Sequence, residues 1–153
     1  MLLPLRGLKP SIFLFVALTG VVVASQAAEP AHESPQEVKG AIKVSAEEVF
    51  SLFEKTKGLV IIDSRLASGP SSGRANGYIE GSVSLPDTET TCASLAKVIP
   101  KKTTPSLFYC NGPKCGRSEK AINVALSCGY KKMYWFRGGF EEWMQKGYPF
   151  VKP

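Results

Sequence analysis

Two short stretches of this chain, "LVIID" at residues 59–63 and "SLFYC" at residues 106–110, are apolar almost throughout and show no apolar–polar alternation. A strand with one face in water alternates, so a run without alternation is buried on both faces. Both runs are too short for helices, and each ends in a polar, turn-forming segment. The remaining segments supply the cover. "AIKVS" reads as a short strand, and Ser45 with Glu48 forms a capping box for the helix "AEEVFSLFEK", whose Val49, Leu52 and Phe53 share a face. "LASGPSSGRANG" reads as a loop and "SVSLP" as a further strand, while "SLAKVI" is a weak helix that breaks at Pro100. "SEKAINVALSCG" is a helix ended by Gly129, "KMYWF" a strand, and "FEEWMQKG" a final helix stopped by Gly147 and Pro149. Strands alternating with helices predict an α/β domain, a mostly parallel sheet with helices on both faces. No internal repeat interrupts the pattern.

The chain opens with Arg6 and Lys9, the apolar stretch "SIFLFVALTGVVVA" and the small residues "SQAAEP". These are the three regions of a secretory signal peptide, with cleavage expected after Ala27 or Ala28. The stretch is shorter than the ~20 apolar residues a membrane span needs, and Thr19 and Gly20 interrupt it. The expected organisation is therefore a signal peptide over 1–27, a polar, proline-bearing linker over 28–40, and one domain over 41–153. The expected location is secreted, in the bacterial periplasm, with no membrane contact after cleavage. The linker holds His32, the only histidine, which argues against a histidine base. Loss of Arg6 and Lys9 lowers the formal net charge of +6 by two, and the remaining lysines are scattered. Such a surface suits small anions and carries no nucleic-acid signature. Cys92, Cys110, Cys115 and Cys128 all fall in the retained part, where an oxidising compartment permits disulfides in any of three full pairings.

The segment with most chemistry is "YCNGPKCGRS", where the run "SLFYC" gives out and a helix begins. In parallel sheets ligands sit beyond the carboxyl ends of strands. A strand-to-helix turn points backbone N–H groups and a positive helix end into one place, which favours an anion. Lys114 and Arg117 add charge, and Gly112 and Gly116 allow close approach. Cys110 in that setting should ionise below its free value of ~8.5 and act as a nucleophile. A zinc site lacks ligands, because Cys92 and Cys128 stand outside any clip spacing, so no metal is expected. A phosphate loop fails on spacing, since only three residues separate Gly112 from Gly116 and Arg117 replaces the lysine. A cysteine–arginine phosphatase places five residues between the two, against the six of 111–116 here, and stays as an alternative together with an oxyanion reductase. A Cys110–Cys115 disulfide also stays open, as a structural bond or as a redox pair.

Four segments in order resemble the single-domain rhodaneses, a family of sulfurtransferases: "LVIIDSR", "GYIEGSVSLP", "FYCNGPKCGRS" and "GYKKMYWFRGGFEEWMQKGYPF". The resemblance covers roughly Ile42 to Val151. It implies a rhodanese-like parallel sheet and a Cys110 persulfide that takes sulfane sulfur from thiosulfate or a related donor and passes it to a thiol or another thiophilic acceptor. It makes Asn111, Gly112, Lys114, Gly116 and Arg117 the substrate-binding cradle, with Asp63 and Arg65 supporting it. No cofactor is implied. Cys115 is outside the common pattern, although the C-x-G-P-x-C loop is similar to that of a subset of the family; a resolving or redox role would make a periplasmic redox protein a partner. Other departures are Tyr78 where a histidine is usual, a Gly/Ser-rich insert after Arg65, and Arg117 seven positions after the cysteine rather than five. Arg137, before Gly138-Gly139, either faces the pocket or is solvated. Phe140 and Trp143 read as core, Cys128 as a small semi-buried residue, and Cys92 as free or paired.

Overall fold

The computed structural model describes residues 33–68 and 73–153. The expected signal peptide, His32, the start of the linker and residues 69–72 lie outside the described residues.

The two apolar stretches pair with each other at the centre of a parallel sheet. Strands β1 (Ala41–Lys43), β2 (Val60–Asp63), β3 (Val83–Ser84), β4 (Ser106–Tyr109) and β5 (Met133–Phe136) are ordered β1-β5-β4-β2-β3. β2 and β4 run in register from Val60 opposite Ser106 to Asp63 opposite Tyr109, and β5 flanks β4 on its other side. Every residue of β4 is buried, as a strand covered on both faces requires. Its side chains alternate between two layers: Phe108 packs with Leu95, Ile99, Ala121 and Ile122, whereas Leu107 and Tyr109 pack with Val49, Phe140 and Trp143. The first layer belongs to helices α2 (Cys92–Val98) and α3 (Arg117–Ser127), and the second to α1 (Ala46–Lys55) and α4 (Gly139–Gln145). This is the α/β architecture that the sequence pattern predicts.

Local signals set the helix ends. The Ser45 side chain accepts from the Glu48 N–H while the Glu48 carboxylate accepts from the Ser45 N–H, and Thr91 with Ser94 forms a second box that starts α2 at Cys92. That start brings Cys92 beside Cys128 at the C-terminal cap of α3, and the two form a disulfide with Cα atoms 5.5 Å apart. Closing a loop of this 36-residue separation stabilises the fold by about 4 kcal/mol in the chain-entropy account.

The part of the linker that is described is not a loose tether. Ser34 is buried, and Val38 enters the layer under α3. The Arg137 guanidinium holds the segment, donating to the carbonyls of Ser34 and Pro35 and to the Glu33 carboxylate. The composition of residues 33–40 suggests disorder, but one apolar side chain and one distant arginine give it a place to dock.

Candidate functional site

The segment 110–116 leaves the carboxyl end of β4, and its carbonyls are tied down one after another. Cys110 O accepts from the Phe140 N–H at 2.8 Å, and Asn111 O from the Glu141 N–H at 2.7 Å, both from the first turn of α4. Gly112 O accepts from the Cys115 N–H, and Pro113 O accepts twice from Ser34, from its N–H at 2.9 Å and its hydroxyl at 2.8 Å. In a trans peptide the C=O and the following N–H point in opposite directions. Fixing the carbonyls of 110, 111 and 113 therefore turns the N–H groups of Asn111, Gly112 and Lys114 away from α4 and the N-terminal segment. Tyr109 packs on the α4 side, so alternation turns Cys110 toward the opposite layer, where its sulfur lies 3.0 Å from Cys115 O. None of the three N–H groups has an acceptor among the described residues. The cradle is a set of main-chain donors aimed by an outer set of main-chain and side-chain donors.

Two glycines make this approach feasible. Gly139 has φ +61°, and a Cβ there would lie 2.4 Å from Cys110 O. At Gly112 a Cβ would meet the Glu141 carboxylate at 2.5 Å. Gly112 and Gly116 do not curl the loop through positive φ; Gly112 is small because Glu141 packs on it.

Cys110 is paired with Cys115 as a disulfide, with Cα atoms 6.4 Å apart. The two sulfurs are not equivalent. Cys110 is 1% exposed, whereas Cys115 is half-buried and lines an open depression of about 800 Å³ with Asp87, Asn111, Lys114, Gly116, Arg117 and Lys120. Lys114 and Lys120 are exposed at its edge. Arg117, expected to bind substrate as part of the cradle, donates through Nη1 to the Asp87 carboxylate. Asp87 follows β3 and has no sequence signal beyond being an acid after "SLP". Gly116 caps α3 without a side-chain bond. Arg137, a candidate for the pocket, instead clamps residues 33–35.

Asp63 and Arg65 lie in the other layer and form a buried charge cluster. Arg65 donates to both Asp63 oxygens, at 2.9 and 2.6 Å, and to Gly77 O, and is 1% exposed. Arg74 reaches the same carboxylate at 3.2 Å and also donates to the hydroxyl and carbonyl of Ser82. Arg74 comes from the Gly/Ser-rich insert, where a composition reading sees only loop. Tyr109 donates its hydroxyl to Asp63 at 2.8 Å, which fastens β4 to β2 one residue before Cys110. Burial, with the Asp63 charge beside it, pushes the Tyr109 phenol well above its ordinary range. Burial works against the charge of Arg65, but the bonds to Asp63 outweigh it and the net displacement is upward. Ser64 follows β2 beside Cys110, donates its N–H to Tyr109 O, and has a buried hydroxyl with no partner among the described residues.

Several comparisons bear on this arrangement. A protein from Bacillus halodurans superposes with a TM-score of 0.62 at 19% identity, over 72% of this chain and 77% of that one. A thiosulfate sulfurtransferase from Pseudomonas aeruginosa superposes at 0.61 with 21% identity, over 72% of this chain but 20% of that larger protein. The 3-mercaptopyruvate sulfotransferase SseA of Escherichia coli gives 0.62 at 15% identity, over 74% of this chain and 51% of its own. At these identities the likeness is one of fold. No curated protein matches the sequence. The family model for the rhodanese-like domain matches residues 45–146, which span β2 to β5, the cysteine loop and the start of α4 that anchors it, and the chain therefore belongs to the rhodanese-like domain family.

Proposed function

We propose that the protein is a sulfurtransferase that works through a persulfide on Cys110. The observation that carries this reading is the loop: a buried cysteine at the end of a central strand, followed by three main-chain N–H groups turned away from α4 and the N-terminal segment, with no acceptor among the described residues. Such donors stabilise a thiolate, a persulfide anion and the charge that develops as sulfur is transferred. Thiosulfate or a related small sulfur anion enters over Lys114, Lys120 and Cys115, and sulfite departs the same way. Arg117 draws the anion in while Asp87 holds its guanidinium in place. The acceptor is a thiol. The signal-like N-terminus supports a secreted compartment, which we take to be the bacterial periplasm.

The test is the intact mass of the reduced protein before and after thiosulfate, with Cys110→Ser alongside, together with assay of released sulfite. Sulfite from the native chain and none from Cys110→Ser supports the reading. Absence of sulfite from every form rejects it. The Cys110–Cys115 pairing favours a second reading, a dithiol module that cycles with a redox partner without handling sulfur; reversible pairing with no sulfite release would establish it.

A further inference from the structure

A transferase that hands sulfur to an outside acceptor has no need of a second cysteine in bonding contact with its nucleophile. We propose that Cys115 resolves the Cys110 persulfide within the chain, so that the protein reduces the transferred sulfur and releases it as hydrogen sulfide. The proposal rests on the reading above for the loading step and goes beyond it in the fate of the sulfur.

The geometry gives the direction of attack. The Cys115 sulfur reaches Sγ of Cys110, the inner sulfur of the persulfide, and the two bond there. The outer sulfur, once loaded, lies in the cradle, where the N–H groups of Asn111, Gly112 and Lys114 hold negative charge. Attack of the Cys115 thiolate on Cys110 Sγ forms the Cys110–Cys115 bond and breaks the bond between Sγ and the outer sulfur. The electron pair leaves with the outer sulfur as hydrosulfide, a less basic leaving group than an alkyl thiolate, and the same N–H groups that stabilise the persulfide receive it. The two thiols together lose two electrons and the sulfane sulfur gains them. With the loading step, thiosulfate and the dithiol become sulfite, sulfide and the disulfide, and nothing else is consumed.

The disulfide form then requires an external dithiol reductant for each turnover, and its point of entry follows from exposure. Cys110 is closed off at 1% exposure while Cys115 lines the depression, so the incoming thiolate attacks Cys115. The mixed disulfide forms on Cys115, and Cys110 leaves as the thiolate that the cradle stabilises. The exposed position is thus the one that meets the reductant in the disulfide form, and Cys110, freed of Cys115 on reduction, is the one that meets the sulfur donor.

The experiment uses the reduced, desalted protein, free of small thiols, mixed anaerobically with thiosulfate in slight excess, with sulfite, sulfide and intact mass measured on the same sample. The expected result for the native chain is near-equal sulfite and sulfide, approaching one of each per chain, and a mass lower than the reduced form by two hydrogens. Cys115→Ser should still release sulfite, keep one added sulfur, and form sulfide only at background. Sulfite without sulfide from the native chain, with the added sulfur retained on either cysteine, overturns the proposal and leaves the persulfide reading standing. No sulfite from any form overturns both.

Discussion

Asp63 answers the buried Arg65 and the partly buried Arg74, and its replacement by asparagine tests whether that cluster holds the centre of the sheet together. Asn keeps the shape and one acceptor oxygen but removes the charge. Arg65 is then a guanidinium at 1% exposure with no anion beside it. Removing one partner of a buried pair costs about 3–5 kcal/mol, and the retained amide oxygen puts the expectation at about 3. Arg74 is 16% exposed and keeps its bonds to Ser82, so it adds little. A domain of this size is stable by about 5–15 kcal/mol, so the loss is a large fraction of the whole. Urea titration followed by the fluorescence of Trp135 and Trp143, both buried, reads it directly. With an m-value of about 1.5 kcal/mol/M the midpoint should fall by about 2 M. Adding Arg65→Met to Asp63→Asn should restore much of the loss, because the stranded charge goes with it. A single-variant loss below about 1 kcal/mol, or a double variant no more stable than the single, would refute the account of Asp63 as the counter-charge.

Three further outcomes are expected. The raised Tyr109 phenol keeps its proton in the folded chain at a pH where the unfolded chain has lost it, so stability should fall as pH rises above about 10, and Tyr109→Phe should flatten that limb in urea titrations run from pH 8 to 11. Gly139→Ala forces a Cβ against Cys110 O and demands positive φ of an alanine; sulfite release should drop by at least tenfold, and unchanged release would show that α4 does not set the loop. Ser34→Ala removes one of two bonds to Pro113 O, worth about 1 kcal/mol, so the melting temperature should fall by about 4 °C and loading by thiosulfate should slow by up to about fivefold, and Ser34→Thr should recover both.

Much of this was legible in the residues because it is local. The unalternated runs at β2 and β4, the Ser45–Glu48 box and the placement of Cys110 at a strand end all follow from spacing within about ten residues. What escaped is held by partners far apart in sequence. Arg117 reads as an anion-binding arginine of the loop, yet Asp87, 30 residues earlier in the chain, accepts from its guanidinium. Arg74 sits in a segment whose composition signals only a loop, although its guanidinium shares the most buried carboxylate in the site region. Cys92 and Cys128 could be paired only once α2 and α3 were known to lie side by side. Residues 33–40 read as linker because one valine and one serine are too weak a signal without the arginine at 137 that receives them.

The docked N-terminal segment also changes where this protein can be cut. The family match begins at residue 45, but β1 at Ala41–Lys43 caps the open edge of β5, and Ser34 orients the Pro113 peptide from still further upstream. At the other end, Val151 bridges back to Tyr78 beyond the last matched residue. A fragment trimmed to residues 45–146 would keep every cysteine and every basic residue of the loop while baring a row of strand hydrogen-bonding groups and letting the Lys114 N–H turn freely. Its inactivity would say nothing about the chemistry of Cys110, so the fragment that bears on that chemistry begins no later than residue 33.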